Sequence, residues 1–243
     1  DDQLSSSFRE RVNTRIDDIK LTNYKVLKTE QQQSQVYMLV AMSRSVFITD
    51  KQNSLREINT KIAQQLDSVS RKNAVEQLFA YNNALQLAKQ GRRLITLLVT
   101  VKPSFDGGKH LTYYRQLETQ EAKVASRANF YVVPNSGLKV VTAEVKKSLQ
   151  SKGFNVSTSR NATGRITLEG NIKQADLFGN KNAVIEFDVV LATNKGKFLS
   201  RKHYRLMGSS TADYTAAKQR ALAVLTNQLT TKADIYTLLG LQL

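Results

Sequence analysis

The spacing of apolar residues changes character three times along the chain. Residues 4–19 place Phe8, Val12, Ile16 and Ile19 at helical intervals behind the hydroxyls of Ser5–Ser7, which predicts a short amphipathic helix with N-cap candidates. Residues 23–30 (NYKVLKTE) alternate, a polar turn QQQS follows, and residues 35–47 (QVYMLVAMSRSVF) read as a second strand, making a β-hairpin. In that strand Val36, Met38, Val40 and Met42 face one way and Tyr37, Leu39 and Ala41 the other. Apolar residues on both faces predict a strand at least part of which is covered on both sides, with Arg44 and Ser45 where it leaves the core.

From Leu55 the period becomes helical, through Leu55, Ile58, Ile62 and Val69 and then Leu78, Tyr81, Leu85, Ala88, Ile95 and Val99. A break near residues 68–72 predicts two helices or one bent helix. LITLLVTV (94–101) is rich in β-branched residues yet continues the preceding period, so helix is expected. Pro103 and the turn FDGGKH (105–110) end the run, and Leu111, Tyr114, Leu117, Glu121 and Val124 mark a further helix.

The last segment opens on the strand FYVVP (130–134). A helix through Leu138, Val141, Val145 and Leu149 stops at Lys152-Gly153, the glycine in the C′ position. FNVSTS, RITLEGNIKQADLF, NAVIEFDVVLAT and KFLSRKHYRLMG read as four strands, and residues 210–229 as a closing helix with a capping box of Ser210 and Asp213. Taking Lys195-Gly196 as a two-residue turn sets Phe187 opposite Tyr204, Ile185 opposite Leu206, Asp188 opposite His203 and Glu186 opposite Arg205. Apolar meets apolar and acid meets base, which supports the register and gives His203 a structural job. The expected fold is α+β, in three small modules in an elongated arrangement. These are residues 1–54 (helix plus hairpin), 55–127 (mainly helical) and 128–243 (a β-α-β-β-β-β-α sandwich).

Composition narrows the chemistry. Among 243 residues, 41% are hydrophobic, 36 are Lys or Arg against 20 Asp or Glu, and none is Cys. The formal charge of +16 favours polyanions such as nucleic acid, acidic envelope polymers or anionic membrane faces, but the charges are scattered, with no dense run. The lack of cysteine excludes disulfides, thiolate metal sites and Cys nucleophiles. No apolar stretch reaches the length of a transmembrane helix. The chain opens on DDQLSSSF with neither Met nor signal peptide, so a leader is expected to have been removed, and the acylated Cys of a lipoprotein would lie in the removed part.

Candidate chemistry is sparse. His110 and His203 lie in different expected modules, without metal-ligand spacing. Dinucleotide, P-loop, zinc-protease and nucleophile-elbow signatures are missing. GSSTAD (208–213) is read as a helix cap before a phosphate cradle, FDGGKH as a turn, Glu186 and Asp188 as strand carboxylates, and Arg92-Arg93 as a solvated helix face. Asn155 and Asn161 stand in glycosylation-type triplets, which are frequent by chance. KFLSRKHYR (197–205) is the nearest thing to a basic-aromatic surface for single strands, but the register turns Tyr204 toward Phe187, away from the basic side chains. No catalytic, cofactor-binding or metal-ligating residue is assigned, and no cofactor is expected.

Residues 5–44, SSSFRERVNTRIDDIKLTNYKVLKTEQQQSQVYMLVAMSR, resemble the second half of the Lpp-twenty-type domain found in envelope lipoproteins and secreted proteins of epsilon-class Gram-negative bacteria. There a helix precedes a "YKVLK" strand, a polar turn and a "YMLVAMSR" strand; the usual preceding strand and Ala-rich helix are absent here. LKVVTAEVKKSLQSKGFNVSTS and GKFLSRKHYRLMGSS look like the α/β modules of flagellar-ring accessory proteins and of the amino-terminal domain of TolB. These resemblances imply a non-enzymatic bacterial cell-envelope or secreted protein, periplasmic or outer-membrane-associated. Its implied role is that of a scaffold or adaptor contacting envelope or host proteins or envelope polymers. The charge keeps a nucleic-acid or polyanion binder as the alternative.

Overall fold

The computed structural model describes residues 24–32, 35–177 and 179–241. The helix expected at residues 4–19, the tip of the first hairpin (33–34) and Phe178 lie outside them. The chain divides into two compact units, one of residues 1–58 with 91–107, the other of residues 59–90 with 108–243.

In the first unit β1 (Lys25–Gln32) and β2 (Gln35–Ala41) pair antiparallel, as the alternation predicts. β2 stops six residues earlier than expected, and residues 44–47 open helix α1 (Arg44–Leu66) instead. Phe47 N donates to Ser43 O at 2.9 Å, closing the first turn. Val46 and Phe47 suit a strand by residue type, and the helical hydrogen bonds override that preference. Arg44 therefore does not end a strand. Its Nε and Nη2 donate to Val101 O at 3.1 and 2.6 Å, satisfying a carbonyl at the end of helix α2 (Ala74–Val101), where a cation also suits the helix dipole. Residues 94–101 are helical, as their period predicts, with Ile95 and Leu98 buried.

Both long helices pass from one unit into the other. The expected break is real: α1 ends at Leu66, Ser68 takes a left-handed conformation (φ 57°), and a single 3₁₀ turn (Val69–Arg71) precedes α2. Asn73 starts α2, its side chain accepting from Glu76 N at 2.9 Å while Glu76 reaches back to Asn73 N at 3.4 Å. This N-x-x-E box follows the capping-box rule with Asn in the first place.

The second unit is an α/β sandwich. Its sheet runs β4 (Asn155–Ser157), β3 (Asn129–Val132), β5 (Gly164–Leu177), β6 (Asn180–Thr193) and β7 (Phe198–Ser210). β3 is parallel to both neighbours, and β5, β6 and β7 form an antiparallel meander. Between β3 and β4 lies helix α4 (Lys139–Ser151), reached from α3 (Gly108–Arg127) through β3. α4 buries Val141, Val145 and Leu149 and ends where Gly153, at φ +83°, lets Phe154 N return to Leu149 O. Helix α5 (Tyr214–Gln228) packs on β6 and β7 so closely that a Cβ at Gly208 would lie 2.0 Å from Ala217 O. Gly208, Ala217 and Ala221 are small because the helix backbone lies against the strand. One core joins Ile166, Leu168, Ile185, Phe187, Val189, Leu191 and Leu206 of the sheet to the apolar stripes of the helices.

The predicted β6–β7 register is observed at all four tested pairs. The connection differs: a shift between Leu191 and Ala192 leaves residues 194–197 as the loop, so a bulge absorbs what a two-residue turn would have done. Two further expectations are corrected. Ser210 caps no helix; it ends β7, and Asp213 alone is the N-cap of α5, accepting from Ala216 N at 2.7 Å. The closing helix is also not last, since α6 (Lys232–Leu238) follows with a true capping box between Thr231 and Asp234.

Candidate interaction surface

The β1–β2 hairpin is the place where structure and expectation diverge most. Opposed residues of an antiparallel pair share a face. Val26 pairs with Val40, Thr29 with Met38 and Gln31 with Val36 on one face; Lys25 with Ala41, Lys28 with Leu39 and Glu30 with Tyr37 on the other. The first face carries no charge at all. The second carries the Lys28–Glu30 ion pair beside Tyr37, whose hydroxyl donates to Gln35 Oε1 at 2.6 Å.

At least part of β2 was expected to be covered on both sides, and among the described residues Val40 alone of its seven is half-buried, the other six being exposed. Val36 and Met38 are each 58% exposed and Leu39 59%, with Val26, Leu27 and Tyr37 open as well. Apolar alternation on both faces reports a demand for burial, and among the described residues nothing meets that demand. Burying each such side chain is worth roughly 1.5–3 kcal/mol, so leaving this group uncovered forgoes several kcal/mol of burial.

The sequence-selected polar residues lie in the second unit, and the fold gathers three of them. On the sheet face opposite the core, His203 Nδ1 lies 2.8 Å from Asp188 Oδ1 and its Nε2 lies 3.5 Å from Glu186 Oε1. Both ring nitrogens thus face carboxylates, Asp188 being the residue that the expected register sets opposite His203. The register also sets Glu169 directly opposite Asp188, two like charges that repel. Arg201 bridges them, donating from Nη2 to Glu169 at 2.8 Å and from Nη1 to Asp188 at 3.3 Å. Lys173 sits 3.7 Å from Glu186. Sequence reasoning missed Arg201 and Glu169: the register that paired Asp188 with His203 sets Arg201 opposite Val190, diagonal to Asp188, whereas Glu169 is placed only by the pairing of β5 with β6, which was not reached from the sequence.

Tyr204 stacks on Phe187 with centroids 5.3 Å apart and planes at 14°, on the core side as predicted. The basic face formed by Arg201, His203 and Arg205 therefore has no share in that ring. His110 is elsewhere: Asn59 Nδ2 lies 3.1 Å from its Nδ1, and Asn59 Oδ1 accepts from the buried Tyr114 hydroxyl at 2.8 Å. Gly107 of the FDGGKH turn is needed for close packing, because a Cβ there would meet Ile95 Cγ2 at 2.5 Å. Arg93 is exposed and Arg92 half-buried. Among the described residues no group of three or more His, Cys, Asp and Glu has the arrangement of a metal site, and no helix is long and apolar enough to cross a membrane.

No family model matches the chain, so the likenesses to the Lpp-twenty-type domain and to the TolB amino-terminal module rest on the residues quoted for them. No curated protein matches either. Among solved structures, a minor lipoprotein from Acinetobacter baumannii is similar over 47% of this chain and 87% of its own, at 10% identity and a TM-score of 0.32. A lipoprotein from Neisseria meningitidis is similar over 42% of this chain and 98% of its own, at 11% identity and a TM-score of 0.32. Likeness at this level transfers no residue and no role.

Proposed function

We propose that this protein is a non-enzymatic binding module of the bacterial cell envelope or of the secreted complement, acting as a scaffold or adaptor through protein–protein contacts made by the β1–β2 hairpin. The observation that carries the reading is the uncovered apolar surface of the hairpin, with Val36, Met38 and Leu39 each more than half exposed. The envelope location rests on the sequence likenesses alone. Engagement of both His203 nitrogens by carboxylates agrees with a role without turnover.

The test is retrieval of partners from a bacterial envelope extract, with nuclease and moderate salt present, by tagged wild-type chain and by Met38→Lys. The reading predicts a discrete protein retained by the wild type and lost by the variant, because apolar contacts are insensitive to salt and a lysine at the centre of β2 is not compatible with burial. Equal retention by both forms contradicts it.

A second reading, polyanion binding, is favoured by one observation. The second unit holds 24 of the 36 Lys and Arg but 11 of the 20 Asp and Glu. Arg165 and Arg205 stand among its exposed cations. That reading predicts recovery of nucleic acid or anionic polymer, falling steeply as salt rises.

A further inference from the structure

We infer that the occupant of the hairpin is a second copy of this chain, joined strand to strand through the outer edge of β2. The inference rests on the reading of the hairpin as the contact surface and names the partner.

The two edges of the hairpin are not alike. β1 carries the devices that discourage pairing: Lys25, Lys28 and Glu30 along its length and an irregularity between Val26 and Lys28 where the ladder breaks step. β2 carries none of them. Its seven residues, QVYMLVA, contain no charge, no proline and no bulge, and its ladder partners follow one another without a shift from Leu39 to Gln35. An exposed, uncharged and regular apolar edge is a template for another strand. A two-stranded hairpin is also marginal in water by itself, whereas three or more strands with an apolar face are stable. Pairing two hairpins supplies four.

The sequence of β2 fits its own copy. Residues directly opposed in an antiparallel pair lie on the same face, so a two-fold axis between two copies of one strand falls on a residue and not between residues. With the axis at Met38, the middle of Gln35–Ala41, all seven residues are paired. Met38 then meets Met38, Val36 meets Val40, Tyr37 meets Leu39 and Gln35 meets Ala41. Every central pair is apolar against apolar, and no charge on either copy faces another. The charge-free face of each hairpin, Val26, Val36, Met38 and Val40, becomes continuous across the axis. A strand from an unrelated protein gains no such match from this arrangement, and a polyanion gains nothing from a neutral edge.

The chain has no cysteine, so a single introduced thiol reports one position. Full-length Met38→Cys is expected to form a disulfide-linked dimer under mild oxidation, since opposed Cβ atoms on an axis lie about 4.5–5.5 Å apart. Val26→Cys, also exposed but on β1, is expected not to. In sedimentation equilibrium the wild type is expected to dimerise, Met38→Lys to weaken association roughly tenfold or more by placing two like charges on the axis, and Val224→Lys, on an exposed position of α5 in the second unit, to leave it unchanged. A monomeric wild type, or cross-linking from Val26→Cys matching that from Met38→Cys, overturns the inference. A monomeric wild type that still loses a protein partner on Met38→Lys overturns it while leaving the adaptor reading standing; loss of neither removes both.

Discussion

Tyr236 is 3% exposed and its hydroxyl donates to Glu121, while Lys232 lies 5.6 Å from its ring centroid. Burial first, and the Glu121 carboxylate second, hold the phenol protonated well beyond its usual range. A folded-state pKa raised above the unfolded one gives stability that is complete below about pH 10, the ordinary tyrosine value, and is lost as the pH rises beyond it. Tyr236→Phe should therefore flatten the alkaline limb of a plot of stability against pH. At neutral pH it should cost about 1–3 kcal/mol, because Glu121 loses a donor. Chemical denaturation of both forms between pH 7 and 11 checks the slope; parallel curves would refute the assignment. Only part of this was legible beforehand. Cross-strand residues such as Phe187 and Tyr204 follow from a register, whereas the meeting of Tyr236 with Glu121 joins positions 115 apart and depends on the packing of α6 against α3.

At the scale of elements, period and punctuation predicted most of the second unit. β3, α4 and the meander lie where the apolar spacing put them, and Gly153 ends α4 as its position suggested. The failures are places where one motif has two homes. Ser-x-x-Asp at 210–213 and Thr-x-x-Asp at 231–234 look equivalent in sequence, but Ser210 is committed to β7 and only Thr231 forms the box. The 23-residue α1 likewise starts inside what reads as strand, because the apolar run of β2 continues through Met42 and resumes at Val46 without a period change to mark the joint. Thr231→Ala should cost about 1 kcal/mol through loss of the cap. Hydrogen exchange should show the loss as faster exchange at Ile235–Leu238, with α5 unaffected. Uniform loss of protection across both helices would show that α6 has no independent boundary.

The whole molecule places its two kinds of surface in different units. The first unit carries the exposed apolar hairpin; the second carries most of the positive charge, on a sandwich in which Glu76, Glu169, Glu186 and Asp188 are taken up by Lys197, Arg201, Lys173 and His203. Sequence alone identified the apolar strand but assigned it to a core, because alternation records what a side chain needs and not whether the same chain supplies it. The basic balance was equally visible, and its partition between units was not. The central claim, that the hairpin is the contact surface, is tested most directly by photo-crosslinking in cells from a benzophenone amino acid placed at Met38, compared with the same group at Arg165 on the basic sheet face. Discrete protein adducts from position 38 and none from position 165 are predicted; adducts from 165 with none from 38 would contradict the account.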